Sequence, residues 1–145
     1  MTTSALPTDG GAAAGLDPGR SKCGLVLTDA DRSRVDESLV LAPEETWRRL
    51  LLWRRSRNLA VVVLGDGTGS RDWQKRLAGS IPVVLVNERG TTLDGRQRYW
   101  DLFPPGGWMR LMPAGLRQPP RDWDDVVAQV LLERWLERSL ARGSE

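Results

Sequence analysis

Three carboxylates stand where an α/β chain can bring chemistry together: Asp17 at the end of an apolar run, Glu88 just past another, and Asp125 near the start of the last amphipathic segment. No histidine is present and Cys23 is the single cysteine, which excludes histidine acid–base catalysis, an internal disulfide and the familiar zinc ligand sets. Chemistry must then come from carboxylates, hydroxyls, Lys, Arg or a bound metal. Acids held together repel one another unless a hard cation neutralises them, and Mg²⁺ or Mn²⁺ prefers such an all-oxygen site. Two such ions about 4 Å apart activate water and stabilise the leaving oxygen of a phosphodiester, a route that needs no histidine. Each acid also has a plain structural reading. Asp17 opens an Asp-Pro-Gly turn, Glu88 precedes a helix, and Asp125 follows Asp122 in a capping-box-like start, with Asp124 competing for any catalytic role.

The charge balance is 21 basic against 19 acidic residues, and all but two of the basic ones, Lys22 and Lys75, are arginines. Their planar forks suit phosphate, so nucleic acid is a candidate partner, while a GC-rich coding sequence gives the same bias. Arg71, Lys75 and Arg76 share one helical segment and Arg48, Arg49, Arg54, Arg55 and Arg57 another; each set reads as a phosphate contact or as a solvated face. The segment Gly65-Asp-Gly-Thr-Gly69 resembles a phosphate-cradling loop but lacks the Gly-Lys-Ser/Thr ending of a P-loop, and an ordinary turn is its plainer reading. Of the seven tryptophans, Trp108 is the one placed to stack on a base, and the others read as core. Cys23 reads as a small buried strand residue.

These residues need a scaffold. Residues 1–12 are small, polar and Gly-rich and read as a tail; 13–140 form one domain, and 141–145 read as a C-terminal tail. Apolar runs at 13–16, 23–28 and 35–41, separated by turn residues, predict three antiparallel strands. Helices are expected from Pro43 to near Asn58, across 71–78, from Thr91 to about Phe103 and from Asp122 to about Ser139. Between them, the β-branched runs 59–64 and 81–86 predict strands covered on both faces. This order predicts an α/β fold of ribonuclease H type, with a five-stranded mixed sheet and helices on both faces. Groups at the carboxyl ends of its parallel strands converge on one crevice, so Asp17 and Glu88 are expected as neighbours. Asp125 shares a stripe with Ala128, Gln129, Leu132 and Leu136, which points its carboxylate toward the same place. No apolar run reaches the roughly 18 residues of a membrane span, and no basic stretch leads into a signal-like apolar run; a reducing cytoplasm is the expected compartment and no membrane partner is expected.

Gly15-Leu-Asp-Pro-Gly-Arg-Ser-Lys-Cys-Gly24, Val86-Asn-Glu-Arg-Gly-Thr-Thr92 and Trp123-Asp-Asp-Val-Val-Ala-Gln-Val-Leu-Leu132 together resemble the YqgF family of RuvC-like nucleases in the ribonuclease H superfamily. The match runs from about Gly15 to Leu136. The resemblance implies a nuclease using Mg²⁺ or Mn²⁺ that processes the ends of ribosomal RNA precursors (pre-16S rRNA), or, alternatively, a resolvase of Holliday junctions. It makes Asp17, Glu88 and Asp125 the catalytic metal ligands. Lys22 stands where the family has Arg, and Arg89 and Thr92 match residues flanking the glutamate; with Arg71 and Lys75 these are the expected contacts to nucleic acid, RNA in preference to DNA. Asn87 replaces the family's Asp, and Pro18 gives a turn more like RuvC resolvases. A monomer or homodimer is expected, the resolvase requiring the dimer because two symmetric cuts need two sites. A non-catalytic module that binds nucleic acid or protein is the reading from another class.

Overall fold

A computed structural model describes residues 10–142 of the chain. Three strands open it: β1 (Ala12–Asp17), β2 (Cys23–Thr28) and β3 (Arg34–Leu41). Helix α1 (Pro43–Ser56), β4 (Leu59–Gly65), α2 (Ser70–Leu77), β5 (Val83–Val86), α3 (Thr91–Leu102), α4 (Asp124–Leu136) and β6 (Ala141–Arg142) follow. The strands form one mixed sheet in the order β5-β4-β1-β2-β3-β6. The opening strands pair antiparallel, and β4 and β5 add parallel to β1, as the crossover rule predicts.

The sheet has six strands where the sequence predicts five. The extra one is β6, two residues within the expected C-terminal tail, and it pairs parallel with β3. Two residues carry no periodicity, so nothing local in the sequence marks them. The chain returns to the sheet through Glu137, whose left-handed φ of 58° ends α4, and through Leu140, which is fully buried. Of the expected N-terminal tail, residues 1–9 lie outside the described residues, and Ala12 already belongs to β1. Residues 143–145 lie outside them as well.

Alternation along β1 assigns its side chains to two cores. Ala12, Ala14 and Leu16 face α1 and α2, where Leu50, Trp53, Trp73 and Leu77 cover them. Ala13 faces α4, packing with Ala128, Leu131 and Leu132, and by the same alternation Gly15 and Asp17 point there too. Helices thus cover both faces. Helix α3 lies on α4 rather than on the sheet, joined by the Arg98 guanidinium, which donates to Glu133 at 2.9 and 3.1 Å. Cys23 is a buried free thiol. Among the described residues no helix is long and apolar enough to cross a membrane.

Helix α4 comes so close to the sheet that side chains must be missing beneath it. A Cβ on Gly15 would stand 2.4 Å from the Ala128 carbonyl oxygen, and one on Gly24 would stand 1.8 Å from that of Asp124. Neither neighbour is a flexible side-chain tip; both are helix backbone. Gly24→Ala is therefore expected to lift the first turn of α4 and to lower stability by about 2–3 kcal/mol, the cost of overpacking a filled site, as read from the denaturant midpoint.

Candidate active site

Asp17 is the last residue of β1, and its two strand neighbours on the same face are glycines. Gly24 is its antiparallel partner on β2. On the other side, the parallel register that pairs Leu16 with Leu64 brings Gly65 alongside it. The volume these glycines leave is taken by two other acidic segments. The first turn of α4 presses its Asp124 backbone onto Gly24, and the Glu88 carboxylate lies over Gly65, where a Cβ would meet its Oε1 at 2.9 Å. Asp17 thus sits between Glu88 and Asp124.

The electrostatics follow from this placement. Burial, then the charge of Asp124, then that of Glu88 push the Asp17 carboxyl up to about 7. Burial likewise raises Asp124, with Asp122 and Asp125 adding to the rise and Lys22 opposing it. The Lys22 ammonium lies 2.5 Å from Asp122 and 4.0 Å from Asp124, and its hydrogen bond to Asp122 holds it above the usual lysine range. Asp122 is thus a partner of Lys22 and not the helix cap that the sequence predicts. The cap position of α4 is Trp123, with no side-chain cap bond, which makes Asp124 and Asp125 the first two helical residues.

Glu88 is held by the loops on either side of β5. Its backbone N–H donates to Asp66 Oδ1 at 3.1 Å, and the Thr91 hydroxyl donates to its carbonyl at 2.7 Å. Asn87 stabilises the same turn by accepting the Arg89 N–H at 2.8 Å, and the Arg134 guanidinium ties the Asn87 carbonyl to α4. The Gly65–Gly69 loop serves here as a cradle for a carboxylate: a Cβ on Gly67 would stand 1.7 Å from Glu88 Oε2. Gly67→Ala is expected to displace that carboxylate and lower turnover about tenfold with little loss of stability, since Gly67 lies on a surface loop; kcat and the melting temperature measured together check this.

Asp125 occupies a different environment, about 100° further round the helix than Asp124. It is almost fully buried, accepting from Arg121 at 2.9 Å and from Arg142 at 3.2 Å. Burial opposes its charge, yet the Arg121 hydrogen bond and the Arg142 and Arg121 charges outweigh it and hold the carboxyl below the usual range. Arg142 in turn donates to Ser38 Oγ and to Gln129 Oε1, so Asp125 is the centre of a network joining α4, β3 and β6. The sequence predicts that Asp125 joins Asp17 and Glu88. The structure places Asp124 beside Asp17 and gives Asp125 to two arginines.

Of the expected nucleic-acid residues, Lys22 approaches Asp124 and Arg89 follows Glu88 in the chain. Lys22, Arg89, Thr92, Arg71 and Lys75 are all exposed, and Arg71 and Lys75 have no ion-pair partner among the described residues. Trp108 is 71% exposed, on a 3₁₀ turn (Gly107–Leu111) of the Pro-rich connection between α3 and α4. Trp53 and Trp73 are core residues. Among the described residues, no three acids, cysteines or histidines are gathered tightly enough to form a ready-made metal-ligand group. The donor set nonetheless fits a hard divalent cation in chemistry and charge. All of its atoms are carboxylate oxygens, and Asp17 carries an excess of negative neighbours that a cation relieves. The residues that would hold it are Asp17 and Glu88, with Asp124 beside Asp17.

No protein-family model matches the chain. Two proteins of Coxiella burnetii, from the Dugway 5J108-111 and CbuG_Q212 strains and both named "Putative pre-16S rRNA nuclease", are similar to it at 21% identity, over 91% of this chain and 96% of theirs. The RuvC of Thermus thermophilus in complex with a Holliday junction substrate superposes with a TM-score of 0.48 at 16% identity, covering 87% of this chain and 94% of that one. A second structure of that RuvC gives 0.44 at the same identity.

Proposed function

We propose that this chain is a divalent-metal-dependent nuclease of the ribonuclease H-like class, acting on RNA and most specifically on the ends of a ribosomal RNA precursor. The observation that carries the reading is the seating of Asp17 between Glu88 and Asp124 at the carboxyl end of the parallel strands, where α/β folds place their chemistry. Two further lines support it: the similarity, along nine-tenths of the chain, to two proteins named "Putative pre-16S rRNA nuclease", and the three motifs that resemble the YqgF family. Bound there, Mg²⁺ or Mn²⁺ supplies an activated water and charge for the leaving oxygen.

The chain's own residues do the rest. Asp17, Glu88 and Asp124 would hold the cation, and Gly24, Gly65 and Gly67 give the Asp124 backbone and the Glu88 carboxylate room to approach Asp17. Lys22, beside Asp124, offers an ammonium to the phosphate nearest the acids. Arg71 and Lys75 on α2 and Arg89 and Thr92 before and at the start of α3 contact the strand as it passes. Asp125 is a positioning residue, setting the first turn of α4 through Arg142 so that Asp124 meets Asp17.

Cleavage in Mn²⁺ and in EDTA tests this, with a single-stranded RNA, an extended ribosomal RNA precursor and a four-way DNA junction as substrates. Mn²⁺-dependent cutting of the precursor is the expected result. Cutting of the junction alone would replace it with the resolvase. No cutting of any substrate, with binding retained after loss of Asp17, would make the chain a non-catalytic binding module.

A further inference from the structure

A cleft of about 650 Å³ opens between the β1–β2 turn, which follows Asp17, and helix α2. Its volume is within the roughly 300–1,000 Å³ of sites that take one small molecule. Pro18 and Trp73 give it an apolar lining, Arg20 and Arg76 bring positive charge, and Thr68 and Asp72 place polar groups on its wall. Arg76 is prearranged: it lies 5.0 Å from the Trp47 ring and 5.5 Å from that of Trp73, and Glu44 accepts its hydrogen bond at 2.7 Å. Arg20 is exposed and has no ion-pair partner among the described residues. Pro18, the residue after Asp17, lines the cleft and approaches Gly69 on the opposite wall.

We infer that this cleft is a subsite for one unpaired nucleotide of the substrate strand, next to the phosphate held at Asp17. The shape and the charge agree on that occupant. A nucleotide presents a flat apolar base, hydrogen-bonding edges and an anionic phosphate, and the cleft offers an apolar lining, an acceptor-only carboxylate with a hydroxyl, and two guanidinium groups. A duplex cannot enter, because a paired base has no free body to insert. The strand is therefore taken with at least one base splayed out of any helix, a requirement that single-stranded precursor ends meet and continuous duplex does not. This rests on the nuclease reading above and names the form of substrate it takes.

Binding measured in EDTA separates the two. The probe is a fluorescent mixed-sequence 12-nucleotide RNA, read by anisotropy with the wild-type chain, with Thr68→Trp to fill the cleft and with Arg20→Ala; neither variant touches the acids. Both are expected to bind about tenfold more weakly with unchanged melting temperature, the worth of one lost base contact. A 12-nucleotide RNA with one abasic position, moved along the strand, should lose the same factor against wild type at one position and nothing against Thr68→Trp. Unaltered binding by Thr68→Trp and Arg20→Ala, with the wild type binding well, would overturn the subsite and leave the nuclease reading standing. A wild-type chain that binds no RNA in EDTA and none with Ca²⁺ in place of EDTA would overturn both.

Discussion

Asp125→Ala is expected to lower stability by about 3–5 kcal/mol, whereas Asp124→Asn, one residue away, leaves stability near wild type and removes turnover. The difference follows from what each carboxylate faces. Asp125 is buried between two guanidinium groups, and its loss leaves Arg142, with a side chain only 16% exposed, without its counter-charge. One Arg142 nitrogen, Nη2, is already buried without a hydrogen-bond partner among the described residues, so the network has little to spare. Asp124 is half-buried, is raised rather than lowered in pKa, and relieves repulsion with Asp17 when its charge is removed. A double replacement sharpens the contrast. Asp125→Leu with Arg142→Met exchanges a buried pair for apolar side chains of similar size and should recover most of the stability lost in Asp125→Ala. Urea midpoints for the four proteins measure this, and an Asp125→Ala chain as stable as wild type contradicts the positioning role.

In the metal-free protein at pH 8, Asp17→Asn is expected to be more stable than wild type by about 2–4 kcal/mol. A carboxyl raised to about 7 in the folded chain binds its proton more tightly there than in the unfolded chain, so folding is penalised once that proton leaves. The unfolded state loses the proton near pH 4 and the folded state near pH 7; stability falls as pH rises across that window and is constant above it. Asn carries no charge and escapes the penalty. The two proteins should therefore match at pH 4 and diverge up to pH 7. Adding Mn²⁺ at pH 8 should raise the wild-type melting temperature and leave that of Asp17→Asn almost unmoved, because the cation removes the repulsion that Asn has already removed. Equal stability of the two metal-free chains at pH 8 contradicts this reading of Asp17.

The parts of this site that could be read in the sequence are those fixed by strand ends. Asp17 closes an apolar run and Glu88 follows a β-branched one, and a strand's end fixes which end of the sheet its residue reaches. The choice between Asp124 and Asp125 could not be read in that way. Consecutive helical residues differ by about 100° in direction, so the assignment depends on where α4 begins, and helix starts are uncertain by one or two residues. Asp122 has the right chemistry for a cap, and its pairing with Lys22, a hundred residues earlier, overrides that local preference. Arg142 could not be found at all, because its partners Asp125 and Ser38 are remote in sequence and β6 is too short for a pattern. Two glycines carry the one local signal of this arrangement. Gly24 and Gly65 are glycines at strand positions where a β-branched residue packs better, and such glycines mark close approach of another segment. They point to the acids resting on them.

Mn²⁺-dependent cleavage of the precursor RNA by Asp17→Asn, Asp124→Asn and the Asp125→Leu/Arg142→Met double variant, run beside wild type, tests most directly whether Asp17, Glu88 and Asp124 form a nuclease site. Wild type and the double variant are expected to cut in Mn²⁺ and not in EDTA, while Asp17→Asn and Asp124→Asn fall by about a hundredfold or more. Cutting by Asp124→Asn at the wild-type rate, or by wild type in EDTA, would contradict it.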